Sequence, residues 1–306
     1  MVENSNEIQL NFHGFSGNDI KLIRHSNKTF VRKTAKNLSE NIKIKKEIDK
    51  MKSLSLLSKN SNQFKVPNII SIKKNSNDLL SYEMDFIPGE SLDFLLKKIN
   101  PITIKSIAKQ LTDIIEYLSK NKIESKINER DFLKQKFNES IQTFSDKAFS
   151  TILSKDLFTE YTKKIENLEL DKNDFNSKSN FCHGDLALDN IIISKKNEIY
   201  LIDPLHNDFE NSLWDYSKIL QSSMIHWHLI KYQNFELETN TKKILLNPNP
   251  HISLFHQHFI KNLHVYPQSK IILYLAATLS RVVKYSKTEK QFCALMLIIN
   301  ELLSDY

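Results

Sequence analysis

The sequence predicts an α+β chain in which an antiparallel sheet carrying one helix precedes a larger, mainly helical part. Alternating apolar patterns typical of strands gather before residue 86, at 8–12, 20–23, 29–31, 66–70 and 79–86. Beyond residue 100, apolar residues recur instead every three or four positions, which is the spacing of a buried helix face. A third observation is a pair of short polar motifs within 183–204, each next to an apolar, strand-like run.

The helix predicted in the first part spans Ser39–Leu57. Lysines occupy one face, and the opposite face carries Ile44, Ile48, Met51 and Ser55. Glu47 lies at the edge of this apolar face, where a carboxylate can pair with a cation from a neighbouring strand. The alternative is a surface glutamate paired with a nearby lysine such as Lys43.

The helical part has a clear predicted start at Asn100-Pro101, with Asn as N-cap and Pro in the first turn. Its buried face is predicted from Ile104, Ile107, Leu111, Ile114 and Leu118. The polar segment 121–178 is interpreted as an insert of amphipathic helices. Segments 271–283 and 292–303 are predicted to be buried helices.

Composition narrows the class of protein. The 306 residues are 40% hydrophobic and 26% charged, as in ordinary globular proteins, and the formal net charge is +7. The lysines are scattered rather than interleaved with aromatic residues, so we expect no nucleic-acid partner. Cys182 and Cys293 are the only cysteines, which favours a reducing compartment. No secretory signal or transmembrane segment is predicted, and the expected location is the cytoplasm.

The most informative segments are His183–Asn190 and Leu201–Pro204. They place an aspartate, Asp185, an asparagine five positions later, Asn190, and a second aspartate 18 positions after the first, Asp203. Phosphoryl transfer from a nucleotide needs such a set. One carboxylate orients and deprotonates a hydroxyl, while an amide oxygen and a second carboxylate hold Mg²⁺.

This order resembles the catalytic and metal-binding loops of kinases, with His-Gly-Asp in place of His-Arg-Asp. It is similar to the aminoglycoside and choline/ethanolamine phosphotransferase superfamily, a small-molecule branch of the protein-kinase-like fold. The resemblance extends over roughly residues 8 to 300 and implies a bilobal fold. A small antiparallel-sheet lobe with one helix would span 1–86 and bind the nucleotide, and a larger, mainly helical lobe over 87–306 would bind substrate and carry catalysis.

Further segments carry the resemblance. His13–Asp19 resembles the nucleotide loop of the superfamily, which implies that Gly14, Ser16 and Gly17 cover the phosphates, although it has one glycine fewer than the richest forms. Leu79–Phe86 runs into a segment similar to the hinge between lobes, so Met84, Asp85 and Phe86 are expected beside the adenine. Trp214–Leu220 resembles the segment after the metal aspartate, in which Asp215 would brace the catalytic loop. As is usual in the small-molecule branch, Asp203 is followed by Pro204-Leu205.

The resemblance implies ATP and Mg²⁺ as cofactors, Asp185 as the catalytic base, and Asn190 and Asp203 as metal ligands. His183 is expected to support its loop. For the cation that contacts the phosphates, Lys33 is favoured over Arg32, because Val31 would then cover the adenine. With Lys33, Glu47 would complete an ion pair. The tryptophans Trp214 and Trp227 are open to two interpretations, cation–π contact with an alkylammonium or packing of the helical lobe.

The predicted function is ATP- and Mg²⁺-dependent phosphorylation of a hydroxyl on a small molecule. By analogy with phosphotransferases of capsule and surface-glycan pathways, the acceptor would be a sugar or amino alcohol for surface polysaccharide or lipid assembly. The alternatives are a choline/ethanolamine kinase, an aminoglycoside phosphotransferase and a non-catalytic nucleotide-binding pseudokinase. ATP and GTP both remain open as donors, and no oligomeric state is predicted.

Overall fold

A computed structural model describes residues 19–25, 28–125, 127–145, 151–168 and 177–304. These residues divide into two compact units. The first contains 19–92 and 189–206, and the second contains 93–188 and 207–304. The lobe boundary predicted between residues 86 and 87 stays a prediction.

The first unit is built on a four-stranded antiparallel sheet. Its strands are β1 (Asp19–His25), β2 (Lys28–Thr34), β3 (Ile69–Lys74) and β4 (Leu80–Asp85), in the order β1-β2-β4-β3. Lys33 on β2 lies directly opposite Tyr82 on β4. The strand predicted over 66–70 begins only at Ile69, because Pro67 has no N–H to donate to a sheet.

One helix, α1 (Asn41–Ser61), packs on this sheet. A single turn of 3-10 helix, Leu38–Glu40, leads into it, and the Asn37 side chain accepts a hydrogen bond from the Glu40 N–H at 3.1 Å. The helix ends at Ser61, four residues later than predicted, and the next residue, Asn62, caps it in the left-handed conformation (φ 53°). Its buried face contains Ile44, Glu47, Ile48, Met51 and Leu54.

A second, three-stranded sheet in the first unit contains β5 (Gly89–Ser91), β6 (Ile191–Ser194) and β7 (Ile199–Leu201). Glycine at position 89 is required by the pairing of β5 with β6. A Cβ atom there would lie 2.3 Å from the carbonyl oxygen of Ile193, far inside van der Waals contact. Gly89 therefore permits a close approach between two strands.

The second unit is mainly helical. The short helix α2 (Leu92–Leu95) begins at the last residue of the first unit and continues into the second. The second unit then contains the helices α3 (Pro101–Ser119), α4 (Glu129–Ser145), α5 (Ile152–Glu166), α6 (Leu213–Ser223), α7 (Trp227–Lys231), α8 (Pro250–Lys261), α9 (Gln268–Val283) and α10 (Glu289–Leu302). A hairpin of β8 (Phe235–Glu238) and β9 (Lys243–Leu246) lies between α7 and α8. The predicted start of α3 is confirmed, since Asn100 accepts from the Thr103 N–H at 2.9 Å.

The core of the second unit forms where α6 and α4 pack on α9, α8 packs on α3, and α10 packs on α5 and α9. Trp214, Tyr274 and Phe132 are fully buried at its centre, with ring centroids 4.6 and 5.5 Å from the tryptophan. Among the described helices, none combines the length and apolar character needed to span a membrane. The predicted fold class is confirmed: an antiparallel sheet with one helix precedes a mainly helical part.

Candidate functional site

Lys33, on β2 of the first unit, is bound by carboxylates from α1 and from the loop after β7. Its side chain points from β2 towards α1, where its Nζ atom lies 2.7 Å from Oε1 of Glu47. The same Nζ lies 3.4 Å from Oδ1 of Asp203, in the loop after β7. Only 4% of the lysine side chain is exposed, so this cation is held between two carboxylates away from bulk water.

Arg32, the alternative phosphate cation, and Lys43, the alternative partner of Glu47, each bind another residue. Arg32 points to the other face of β2 and donates to Oε1 of Glu83 through Nε at 3.0 Å and through Nη2 at 2.7 Å. Lys43 pairs with Glu40 at 2.7 Å rather than with Glu47. Strand alternation accounts for the first difference, because consecutive residues of a strand face opposite sides.

The environment fixes the charges in this cluster. Burial alone would lower the pKa of Lys33, but Asp203 and Glu47 outweigh it and raise that pKa above its ordinary value. Burial raises the pKa of the Glu47 carboxyl, and the charge of Lys33 opposes that change. Tyr82 adds a hydrogen bond, because its hydroxyl donates to Oε1 of Glu47 at 2.6 Å. Lys33 is therefore a permanent cation at physiological pH.

Asn190 and Asp203 lie at the same end of two paired strands, β6 and β7, in the second sheet. Asn190 ends a turn of 3-10 helix, Leu188–Asn190, directly before β6, and Asp203 follows β7 by two residues. Ile191 pairs with Leu201, and the Ile202 N–H donates to the Asn190 carbonyl at 3.0 Å. The antiparallel pairing thus places both polar residues at the same end of the two strands. Asp203 itself adopts the left-handed conformation, with φ 54°.

The side-chain oxygen atoms of Asn190 and Asp203 are of the kind that binds a magnesium ion. Amide and carboxylate oxygens are hard ligands, and Mg²⁺ is usually held by one or two carboxylates together with phosphate oxygens and water. Across the described parts of the chain, no group of three or more His, Cys, Asp and Glu side chains is placed to hold a metal by itself. The amide of Asn190 and the carboxylate of Asp203 are thus of the kind that can supply two such ligands.

The segment expected beside the adenine lies at the end of β4. Met84 is buried, Asp85 is half-buried, and Phe86 remains 39% exposed. The Asp85 N–H donates to the Asn68 carbonyl at 3.0 Å, and the Phe86 N–H donates to the Thr29 carbonyl at 3.3 Å. These two N–H groups are therefore bonded within the unit rather than directed at a ligand. The predicted nucleotide loop, with Gly14, Ser16 and Gly17, lies outside the described residues.

In the second unit, the loop that carries Asp185 is held by α6. The two carboxylate oxygens of Asp215 accept the backbone N–H groups of His183 and Gly184, each at 2.7 Å. Asp215 is fully buried, and Gly184 has φ 85°, a conformation that favours glycine. Asp215 thus fixes the backbone immediately before Asp185, the position predicted for a brace.

Asp185 is half-buried and forms an ion pair with Lys218, whose Nζ lies 2.9 Å from Oδ1 of Asp185. Burial would raise the pKa of this carboxyl, but the charge and hydrogen bond of Lys218, with contributions from His183 and Arg281, bring that pKa below its ordinary value. Asp185 is therefore ionised at neutral pH, as a group that accepts a proton must be.

Trp214, next to Asp215, and Cys182, next to His183, are buried side chains that contribute to packing. Trp214 has no exposed surface, and its Nε1 donates to the Phe209 carbonyl at 3.0 Å, which favours packing over contact with an alkylammonium. Cys182 is buried, and its thiol donates to Oε2 of Glu210 at 3.0 Å.

Sequence reasoning assigned no role to Tyr82 or Lys218. Tyr82 alternates with Glu83 on β4 and lies opposite Lys33, so the register of β2 with β4 is the signal that identifies it. Lys218 lies three residues after Asp215 and therefore on the same face of α6.

Comparison with solved structures shows that the fold is similar to that of several phosphotransferases and of a choline kinase. The chain is similar over its whole length to the GDP and kanamycin complex of APH(2")-IIia, with a TM-score of 0.58 and 14% identity, covering 94% of that chain. It is also similar to choline kinase LicA from Streptococcus pneumoniae, with a TM-score of 0.55 and 13% identity over 97% of this chain and 92% of that one.

A third similar structure is the spectinomycin phosphotransferase APH(9)-Ia with ADP and spectinomycin, with a TM-score of 0.52 and 11% identity over 98% of this chain and 92% of that one. No family model matches the sequence, and no curated protein matches it either. The three solved structures confirm the fold that the resemblance to the aminoglycoside and choline phosphotransferase superfamily implies.

Proposed function

We propose that this protein is a nucleotide- and Mg²⁺-dependent phosphotransferase that phosphorylates a hydroxyl group of a small molecule. The observation that carries the proposal is the buried Lys33, held by Glu47 at 2.7 Å and Asp203 at 3.4 Å. A cation fixed in this way, next to a carboxylate that suits magnesium, has the chemistry needed to bind the phosphates of a nucleotide.

The residues divide the work as follows. Lys33 would bind phosphate oxygens, with Glu47 and Tyr82 fixing its position. Asn190 and Asp203 would hold Mg²⁺, which when bound neutralises charge on the phosphates. Asp185 would accept a hydrogen bond from the acceptor hydroxyl and aim its oxygen at the terminal phosphorus. As the new P–O bond forms, the bond to the leaving diphosphate breaks with its electron pair, and the hydroxyl proton passes to Asp185.

The similar structures support this class of reaction and a small acceptor. They include a phosphotransferase bound to GDP and kanamycin, one bound to ADP and spectinomycin, and a choline kinase. The donor is therefore proposed to be ATP or GTP. A sugar or amino alcohol for surface-glycan or lipid assembly remains the acceptor predicted from the sequence. The thiols of Cys182 and Cys293 are buried and form no disulfide, which is compatible with the cytoplasm proposed as its location.

The test is a screen of hydroxylated metabolites and antibiotics for acceptor-dependent release of ADP or GDP in the presence of Mg²⁺. The panel should include monosaccharides, choline, ethanolamine and aminoglycosides. Stimulation by one class, abolished by EDTA, is the expected result. Nucleotide binding without release for any acceptor, including water, would instead support the non-catalytic alternative.

A further inference from the structure

One face of α6 contacts the proposed catalytic loop at four residues, 183, 184, 185 and 188. Asp215, Lys218 and Ser222 are spaced by three and four residues, so their side chains lie along the same side of the helix. Asp215 binds the backbone of His183 and Gly184, Lys218 binds the carboxylate of Asp185, and the Ser222 hydroxyl accepts from the Leu188 N–H at 3.4 Å. The first and last of these contacts hold backbone, whereas that of Lys218 holds the proposed catalytic group itself.

We propose that Lys218 is a positioning residue for phosphoryl transfer, which holds one oxygen of Asp185 and keeps the carboxylate ionised and aimed at the acceptor hydroxyl. The proposal rests on the function proposed above. It is carried by the 2.9 Å ion pair and by its burial, since only 13% of the Lys218 side chain is exposed. A carboxylate has about four acceptor sites, so a bond from Lys218 to Oδ1 leaves capacity to accept the hydroxyl.

Lys218 is the strongest charge acting on Asp185, but it is not the only one. His183 and Arg281 also favour the ionised carboxylate, while burial opposes it. Removal of Lys218 would therefore leave burial less opposed and make protonation easier at mildly acid pH. The two remaining groups would limit the size of that change.

The ion pair also has a chemical cost that defines its role. A carboxylate stabilised by a lysine is a weaker base, so Asp185 would contribute mainly by orienting the hydroxyl. Such an arrangement suits a loose transition state, in which the acceptor oxygen needs little negative charge before the P–O bond forms. The proton then moves to Asp185 late in the reaction, because Lys218 stabilises the ionised carboxylate and so opposes its protonation.

The first experiment measures the ionisation of Asp185 directly. In protein labelled with ¹³C at the aspartate carboxyl carbon, the Asp185 signal is identified by its absence in Asp185→Asn. We expect the midpoint of this signal in wild type to lie below the ordinary value of an aspartate. In Lys218→Met and Lys218→Gln the midpoint should rise by at least one pH unit, while Lys218→Arg retains the charge and the low pKa. Lys155→Met, at an exposed position of α5, serves as control.

The second experiment uses release of ADP or GDP from Mg²⁺-nucleotide, with water or the best acceptor. Lys218→Met should lower kcat at least tenfold, move the acid limb of the pH–kcat profile upward, and leave the Kd for ADP within about twofold. Lys218→Arg should restore part of kcat. Two neutral variants are included so that the result is read on whichever one keeps the thermal transition of wild type.

An unchanged Asp185 midpoint in a folded neutral variant would overturn the proposal. So would a drop in kcat with no shift in the acid limb, which would indicate a purely structural lysine. If no acceptor and no hydrolysis is found, the proposed function fails, and the carboxyl titration still decides whether Lys218 controls Asp185. The two failures are thus distinguishable.

Discussion

The hydroxyl of Tyr82 donates a 2.6 Å hydrogen bond to the same oxygen atom of Glu47 that binds Lys33. Tyr82 faces Lys33 across the β2–β4 pair, so sheet register and helix packing bring three polar groups together in a buried place. Burial and the neighbouring Glu47 hold the pKa of Tyr82 well above its usual range, so the hydroxyl keeps its proton and donates it.

Tyr82→Phe removes this donor while keeping the ring. Because a hydrogen bond to a charged group contributes about 1.5–3 kcal/mol, we expect Lys33 to be held less firmly and nucleotide affinity to fall by roughly tenfold. The measurement is the Kd for a fluorescent ADP or GDP analogue. Tyr232→Phe, at a residue that is 66% exposed, is the matched control. Equal affinity in both variants would show that Tyr82 does not support the cation.

Lys33→Met and Arg32→Met test which strand residue binds the phosphates. Lys33→Met leaves Glu47 and Asp203 without their shared cation, so we expect turnover to fall by about two orders of magnitude or more. It should also lower the free energy of unfolding by about 3–5 kcal/mol, because a buried charge loses its partner. Arg32→Met breaks a partly exposed pair and should change stability by about 1 kcal/mol or less. A larger loss of turnover in Arg32→Met would reverse the assignment.

Asp215→Asn tests the brace of the catalytic loop. An amide has one acceptor oxygen, so it can accept from the N–H of either His183 or Gly184, and its NH₂ group then faces the other donor. We expect the free energy of unfolding to fall by about 1–3 kcal/mol, measured by urea denaturation. Asp156→Asn, at an exposed aspartate of α5, provides the comparison. An unchanged midpoint would mean that the loop holds its shape without Asp215.

A pH dependence of stability is expected from His226. Burial, with His228 and His256 nearby, lowers the pKa of His226 to about 4. The unfolded chain, with an ordinary pKa near 6.5, therefore binds more protons between those values. The contribution of His226 is complete above pH 6.5 and is lost as the pH falls towards 4.

His226→Asn should reduce that acid-side loss by on the order of 1 to 2 kcal/mol, because Asn does not titrate. Asn also tolerates the left-handed backbone observed at this position, where φ is 53°. The measurement is the urea midpoint at pH 5.0 and pH 7.5. His264→Asn, at an exposed histidine, is the control. Identical pH dependence in both variants would place the acid sensitivity elsewhere.

The local parts of the site were predictable from sequence, because the residues involved lie close together in the chain. The segments predicted to be the catalytic loop and the metal loop, with the two strands beside them, occupy fewer than 25 residues, 183–204, and their spacing predicts their chemistry. The helix with Glu47 was predictable in the same way, from its apolar face.

Contacts that depend on long-range packing were not predictable. Tyr82 meets Glu47 only through the register of β4 and the docking of α1, and Lys218 meets Asp185 only through the docking of α6 on the loop. The β8–β9 hairpin was also missed, because each of its strands has only four residues, the shortest length at which an alternating pattern indicates a strand.

The most direct test of the central claim compares acceptor-dependent ADP or GDP release by wild type, Asp185→Asn and Asp156→Asn. Asp156 is an exposed aspartate on α5, so its variant should match wild type. Asp185→Asn should bind nucleotide with unchanged Kd and lose turnover by a factor of about 10²–10⁴, because the group that orients the hydroxyl and accepts its proton is gone. Turnover by Asp185→Asn equal to that of Asp156→Asn would contradict the account.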